Sequence, residues 1–312
     1  MKNFIIFPEN FNISPDTPLT AACGVFDGVH AGHRRIIETA AARARAVGSK
    51  VLALSFSPHP RTLLTPGTAP ALLISEEKRF ELLHRAGADF CALINFTLEV
   101  AALSPEEFLN ALQDTPEVTI SGICVGSCWR FGCRGAGNRQ TLAGFCAKNN
   151  WTLDAVPEVE MDGEVISSSA IRRAIAAGDL KLAAGMLGYE VTLSGKVVRG
   201  FQIAGSKLAA PTANLEVAYG ILPPDGVYSG QVSLENRNYP AALNIGTAPT
   251  FGNDQHRVEI HLIGFSGDLY DRELTVTLHR FLRKEQRFSS PEALKEQICR
   301  DIAAIKTDFI PQ

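Results

Sequence analysis

Two imidazoles bracket a glycine in the string Gly24-Val25-Phe26-Asp27-Gly28-Val29-His30-Ala31-Gly32-His33. An apolar run, Leu19 to Phe26, leads into this string, and a stretch with helical periodicity, about His33 to Val47, leads out of it. A strand that turns there into a helix presents unpaired N–H groups and a positive dipole end, and both attract phosphate. His30 and His33 add two side-chain donors, while Gly32 lets the backbone approach a ligand closely. Such a site stabilises charge on the α- and β-phosphates of ATP as pyrophosphate leaves. Positioning and electrostatics suffice, with no covalent intermediate. Two histidines at a loop–helix junction also read as exposed side chains or a metal pair. The complete string, placed after the first strand, selects nucleotidyl transfer.

Further along, Ser167-Ser168-Ser169-Ala170-Ile171-Arg172 is a hydroxyl-capped helix start carrying a forked guanidinium donor suited to phosphate oxygens. Ala210-Pro211-Thr212-Ala213-Asn214 places a hydroxyl and an amide oxygen two residues apart, a pair able to coordinate one hard Mg²⁺ ion. By itself that segment is equally a turn with a cap. Glu259, between Val258 and Ile260, is either a base or the solvent face of a strand, and His261 shares its face.

These residues need elements to hold them. Helical spacing from His33 to Val47 places Ile36, Ile37, Ala40, Ala44 and Val47 on one stripe, and Gly48 stops the helix. Val51 to Phe56 reads as a strand ended by Ser57-Pro58-His59-Pro60. A helix near Ser75 to Arg85, a strand near Phe90 to Ile94, a helix opened by Ser104-Pro105-Glu106-Glu107 and a strand from Val118 to Gly126 follow. This alternation predicts an α/β domain with a parallel sheet, whose ligands bind beyond the carboxyl ends of the strands. Two short helices close that half. After about Leu187 the pattern becomes short alternating segments between Gly, Pro and Asn, which predicts a small antiparallel β-barrel, with a last helix near Ser290 to Ile305. The expected domains are therefore 1–187 and 188–312.

Composition agrees with a globular enzyme: 312 residues, 46% hydrophobic and 20% charged. A net charge of −3 argues against a general nucleic-acid surface. The N-terminal residues lack a secretory pattern, and no apolar run approaches the roughly 20 residues of a spanning helix. The expectation is a cytoplasmic protein without membrane or nucleic-acid partners. Seven scattered cysteines suit a reducing compartment; Cys124, Cys128 and Cys133 lack paired zinc spacing and read as buried thiols.

The histidine string resembles the signature of the nucleotidyltransferase superfamily. Four further segments narrow the resemblance to FAD synthetase: Phe56 to Arg61, Leu103 to Phe108, Val125-Gly126 with Arg130-Phe131-Gly132, and Ser167 to Arg172. In the second half, the Pro211 to Asn214 segment, Leu222 to Tyr228, Asn244 to Phe251, Val258 to Leu262 and Gly267 to Tyr270 resemble riboflavin kinase. The resemblance covers about residues 19 to 307. It implies a Rossmann-like nucleotidyltransferase domain before the barrel, riboflavin phosphorylation to FMN, and FMN adenylylation to FAD, with ATP as co-substrate for both and Mg²⁺ as the metal. His30, His33 and Arg172 would then be catalytic for adenylylation. Gly24, Phe26, Asp27, Gly32, Ser168 and Ser169 would line the nucleotide, and His59 would take a lesser part. Glu259 would act as the kinase base, Thr212 and Asn214 would bind Mg²⁺ and ATP, and Gly205 and Lys207 would face phosphate. The chain departs from the pattern in two places: Ser127 and Cys128 stand where the family carries an acidic residue and a polar one, and Ser206, Ala209 and Ala210 alter the loop before Pro211. They motivate a second reading, a degenerate paralogue that binds flavin or nucleotide with one or both activities lost. A third, transfer to a different phosphate acceptor, leaves the second half unexplained.

Overall fold

A computed structural model of the chain describes residues 4–9, 11–14, 16–65, 67–116, 118–198, 213–247 and 256–309. They form two compact units, Met1–Pro70 with Glu76–Ser168, and Ala71–Ser75 with Ser169–Gln312.

The first unit carries β1 (Ile5–Ile6), β2 (Pro18–Cys23), α1 (Ala31–Val47), β3 (Lys50–Ser57), α2 (Pro60–Leu64), α3 (Glu76–Arg85) and β4 (Phe90–Asn95). It continues with α4 (Leu98–Ala102), α5 (Pro105–Gln113), β5 (Thr119–Gly126), α6 (Arg139–Asn149), β6 (Thr152–Val156) and the hairpin β7 (Glu160–Met161) and β8 (Glu164–Val165). The main sheet runs β1-β4-β3-β2-β5-β6; every pair is parallel except the edge pair β1 and β4. Strands β2, β3 and β4 are buried along most of their length, as a sheet covered on both faces requires. The chain winds one way from β2 to β3 and β4 and the other way to β5 and β6. The crevice at this reversal, beside the carboxyl end of β2, is where such sheets bind ligands.

Helix α1 packs on that sheet through Ile36, Ile37, Ala40, Ala41 and Ala44, and Gly48, at φ 70°, caps it in the left-handed conformation. Val47 departs from the expected stripe: it is 46% exposed. As the last helical residue it has rotated off the sheet side, and Ala41 takes the fifth place. Ser104 caps α5 in a full capping box with Glu107, behind Pro105 at the first helical position. That helix buries Phe108, Leu109 and Leu112 in the unit's main apolar cluster. Several elements of this unit were not among those expected: β1, α2, α4, β6 and the hairpin β7–β8, each too short to show a repeat, and the longer helix α6.

The second unit begins with α7 (Ser168–Ala176, whose first residue belongs to the first unit) and α8 (Leu180–Leu187). Then come β9 (Thr192–Val198), β10 (Ala213–Tyr219), β11 (Gly226–Leu234), β12 (Arg237–Thr247), β13 (His256–Leu262), β14 (Glu273–Arg283) and α9 (Pro291–Asp308). The six strands close into an antiparallel barrel, β10-β13-β12-β11-β14-β9. Leu193, Val197, Val232, Leu243, Ile245, Val258, Ile260, Val276 and Leu278 are buried within this unit. Their strand neighbours alternate outward, as in any small barrel filled by side chains. Helix α9 packs on β12. Arg283 at the end of β14 grips Asp301 of α9 through Nε and Nη2, the latter at 2.8 Å, and Gln297 donates to the same carboxylate at 2.9 Å. Asp301→Ala removes the partner of a guanidinium that is itself only 20% exposed. The barrel unit is expected to lose about 2–3 kcal/mol, below the fully buried range because some solvent reaches Arg283. Urea unfolding followed by barrel-unit probes checks this. An unchanged midpoint would show the ion pair to be dispensable.

Among the described residues, no helix is long and apolar enough to cross a membrane.

Candidate functional site

The histidine loop lies at the carboxyl end of β2. His30 is the N-cap of α1, and its Nδ1 accepts the His33 N–H at 3.4 Å. The two rings stack with centroids 3.6 Å apart and an interplanar angle of 21°. Phe26 meets His33 edge-on at 5.3 Å. Three left-handed residues within four positions make this possible: Phe26, Gly28 and Val29 have positive φ, at 53°, 82° and 35°. For Phe26 and Val29 that conformation is strained and persists only where the surroundings over-determine it. Gly32 leaves room for the His30 ring, since a Cβ there would meet it at 3.2 Å and press it aside by a few tenths of an ångström.

Electrostatics complete the picture. Burial, reinforced by Arg34, lowers His30 to about 4, while burial, His30 and Arg34 hold His33 well below the ordinary imidazole range. Both rings are therefore neutral at pH 7. Because His30 Nδ1 accepts a backbone proton, its own proton sits on Nε2, leaving that nitrogen as a donor. His33 Nδ1 is buried and has no hydrogen-bond partner among the described residues. A buried polar atom left in this way at a helix N-terminus marks a place where a ligand or water completes the site.

The depressed pKa has a consequence for stability. An unfolded histidine protonates near pH 6.5, and folded His30 near 4. Between those values the unfolded chain binds more protons, so stability rises with pH across the window and falls on acidification. Above about pH 6.5 the penalty vanishes, and below about 4 it is complete; the slope is about 1.4 kcal/mol per pH unit for each such histidine. Urea unfolding of the first unit is expected to weaken from pH 6.5 towards 4, and less steeply in His30→Gln. An equally steep profile in that variant would assign the dependence to other groups.

Neighbouring segments converge on the same end of the sheet. Within the first unit, Ser168 Oγ donates to the Asp27 carbonyl at 2.8 Å, and Asp27 itself is buried. Beyond β5, the Ser127 N–H donates to the Val156 carbonyl at 2.8 Å and Trp129 stacks on Phe131. Cys128 is exposed and Cys133 half-exposed, which corrects the expectation of buried thiols; only Cys124 of the three is buried, inside β5. The other two lie past the strand end, where the chain has left the core. His59 caps α2, its Nδ1 accepting from the Arg61 N–H at 3.1 Å. Ser169 and Arg172 belong to the second unit; Ser169 is exposed and Arg172 Nε donates to the Ala71 carbonyl at 2.9 Å.

One residue that the sequence reading passed over stands directly behind the loop. Arg79 is buried on α3, and its Nη1 donates to Ser55 Oγ at 3.0 Å and to the Val25 carbonyl at 3.2 Å. Ser55 donates onward to that carbonyl at 2.8 Å. A charged residue on a helix ordinarily reads as a solvated face, so no local signal distinguished it.

In the barrel unit, Glu259 pairs in register with Asn214 on one side and with Asn244 on the other. Val258 and Ile260 are buried, so Glu259 and the two asparagines share the outward face of three adjacent strands. A cleft of about 600 Å³ opens there, lined by Asn244, Glu259 and His261, the segment Glu285 to Phe288, and Leu294, Ile298 and Ile302 of α9. Asn244 Nδ2 donates to Glu285 Oε1 at 3.0 Å, and a side chain on Gly246 would collide with the same carboxylate. Asn244 and Glu285 were not among the expected site residues; strand pairing puts Asn244 beside Glu259, and the hydrogen bond from Asn244 brings Glu285 to the same cleft. Gly205, Lys207 and Thr212, also expected there, lie outside the described residues.

A family model described as FAD synthetase matches residues 13–170, and one described as riboflavin kinase matches residues 187–309. The chain is 37% identical to the bifunctional riboflavin kinase/FMN adenylyltransferase of Pseudomonas fluorescens, over 93% of either chain. This chain belongs to the bifunctional riboflavin kinase/FMN adenylyltransferase family. A second member, from Escherichia coli, is 32% identical over 94% of this chain and 93% of its own length. Among solved structures, one titled as a macrolide-efflux protein from Streptococcus pneumoniae superposes with a TM-score of 0.81 at 27% identity, covering 95% of this chain and 96% of its own. The FAD synthetase match contains the histidine loop, and the riboflavin kinase match contains Asn214, Glu259 and the barrel cleft. Neither match favours the degenerate binder.

Proposed function

We propose that domain 188–312 phosphorylates riboflavin to FMN with ATP, and that domain 1–187 transfers AMP from a second ATP to FMN, releasing pyrophosphate and FAD. The observation that carries the reading is the stacked pair of neutral imidazoles at a helix N-terminus, set at the winding reversal of a parallel sheet. His30 Nε2–H and the N–H groups opening α1 donate to phosphate oxygens, and His33 donates beside them. This stabilises charge as it develops on the departing pyrophosphate. Gly24, Phe26, Asp27 and Gly32 shape the loop around the nucleotide. Ser168 secures it, and Ser169 and Arg172 keep the donor roles that their motif implies.

In the kinase domain, Glu259 orients and deprotonates the ribityl hydroxyl that attacks the γ-phosphate. Asn214 beside it, with Thr212, offers the hard oxygen donors that suit Mg²⁺, and Glu259 adds a carboxylate to the neighbourhood. The ion supplies charge neutralisation on the phosphates when bound. Gly205 and Lys207 complete the phosphate side. The cleft under α9, apolar on Leu294, Ile298 and Phe288 and polar at its rim, fits a fused aromatic ring system. The enzyme acts in the cytoplasm without membrane or nucleic-acid partners.

The test is direct. Purified protein is incubated with riboflavin, ATP and Mg²⁺, and the flavins are resolved by chromatography. FMN and then FAD are expected, with both steps lost on chelation of the metal. If neither product rises above background, the reading fails.

A further inference from the structure

Helix α3 buries only two of its residues, Leu83 and Arg79. A buried guanidinium is expensive unless its donors are met, and well-packed apolar residues generally serve stability as well. What Arg79 contacts is therefore informative. Its Nη1 reaches the Val25 carbonyl, Ser55 Oγ and the Phe56 carbonyl at 3.2, 3.0 and 3.4 Å, and Nη2 pairs with Glu76 at 3.5 Å. Ser55, fully buried, donates its own hydrogen bond to the Val25 carbonyl. One carbonyl thus collects two donors.

That carbonyl sits at the point where the chain leaves the sheet for the histidine loop. The next residue is Phe26, held at φ 53°. Its ring is confined between Gly24, where a Cβ would approach it to 2.8 Å, and the edge of His33. Turning the Val25–Phe26 peptide would release the ring, and with it the orientation of His33. Strain of this kind survives only where fixed partners outvote the local preference. Arg79 and Ser55 are those partners.

We propose that Arg79 is a positioning residue for adenylyl transfer. Acting through Ser55 and the Val25 carbonyl, it holds the Phe26 conformation that aims the His33 imidazole. The proposal rests on the reading of the histidine loop as the adenylylation site.

The experiment measures FAD formation from FMN and ATP in the intact chain, with riboflavin phosphorylation by the same preparation as internal control. Arg79→Met keeps length and removes every donor. Its kcat for FAD formation is expected to fall about 10- to 100-fold, the usual result of misplacing a catalytic group by a fraction of an ångström to an ångström. The KM for FMN should stay within about twofold, since ground-state binding is untouched. Arg79→Lys should recover most of the loss. Ser55→Ala should lower kcat to a smaller degree, and adding it to Arg79→Met should cost nothing more, because both act through one carbonyl. Unchanged kcat in Arg79→Met overturns the proposal, as does a parallel loss of both activities with no recovery in Arg79→Lys. If Arg79→Met does not fold, Ser55→Ala decides, and full kcat there overturns the idea. His33→Ala separates the two levels. FAD formation indifferent to His33 sinks the site itself, whereas sensitivity to His33 with indifference to Arg79 sinks only the positioning role.

Discussion

His33→Ala is expected to lower FAD formation from FMN and ATP at least about 100-fold, the cost of removing one preorganised donor at developing charge. Riboflavin phosphorylation by the same protein should change little. His33 stacks on His30 at 3.6 Å and carries a buried nitrogen with no partner among the described residues, so its removal takes away a donor and leaves a gap against Phe26. Because the ring is neutral at pH 7, it acts as a polarised donor held in place rather than as a mobile cation. His33→Gln, which retains a donor, should retain more activity than alanine. Chromatographic rates for the two products, measured on one preparation, decide the matter. Equal loss of FMN and FAD formation would contradict separate sites.

Glu259→Gln should have the mirror-image effect. FMN formation from riboflavin is expected to fall about 100- to 10,000-fold, the range for losing a positioned general base. FAD formation from supplied FMN should persist. Glutamine keeps the size of the side chain and its place between Asn214 and Asn244, so the barrel has no reason to unfold. Only the ability to take a proton is removed. A variant with near-normal riboflavin phosphorylation would return Glu259 to the solvent face of a strand, and Asn244 with Glu285 would then become the groups to replace.

The histidine site was legible because its parts are contiguous. Ten residues, Gly24 to His33, hold the strand exit, the turn, the N-cap and both imidazoles, and their spacing follows from backbone geometry alone. The capping box at Ser104 and Glu107 was legible for the same reason. The same holds for the β/α alternation and the change of pattern after Leu187, since each strand or helix writes its burial into its own period.

Tertiary structure decided what depends on partners distant in the chain. Arg79 and Val25 are 54 residues apart, and only the packing of α3 behind the sheet turns a helical charge into a clamp on the loop. The neutrality of His30 and His33 comes from burial, which no motif encodes. Glu259 acquires Asn214 and Asn244 as neighbours through barrel register, and the cleft exists because α9 lies against β12. Val47 and Cys128 show the converse: each is a residue type suited to the core, but Val47 is the last residue of its helix and Cys128 lies past the end of its strand. Residue type and spacing thus determined the two kinds of chemistry and the scaffolds that hold them. Burial, register and long-range clamps set protonation and aim, because these arise from which surfaces meet and not from what any one segment contains.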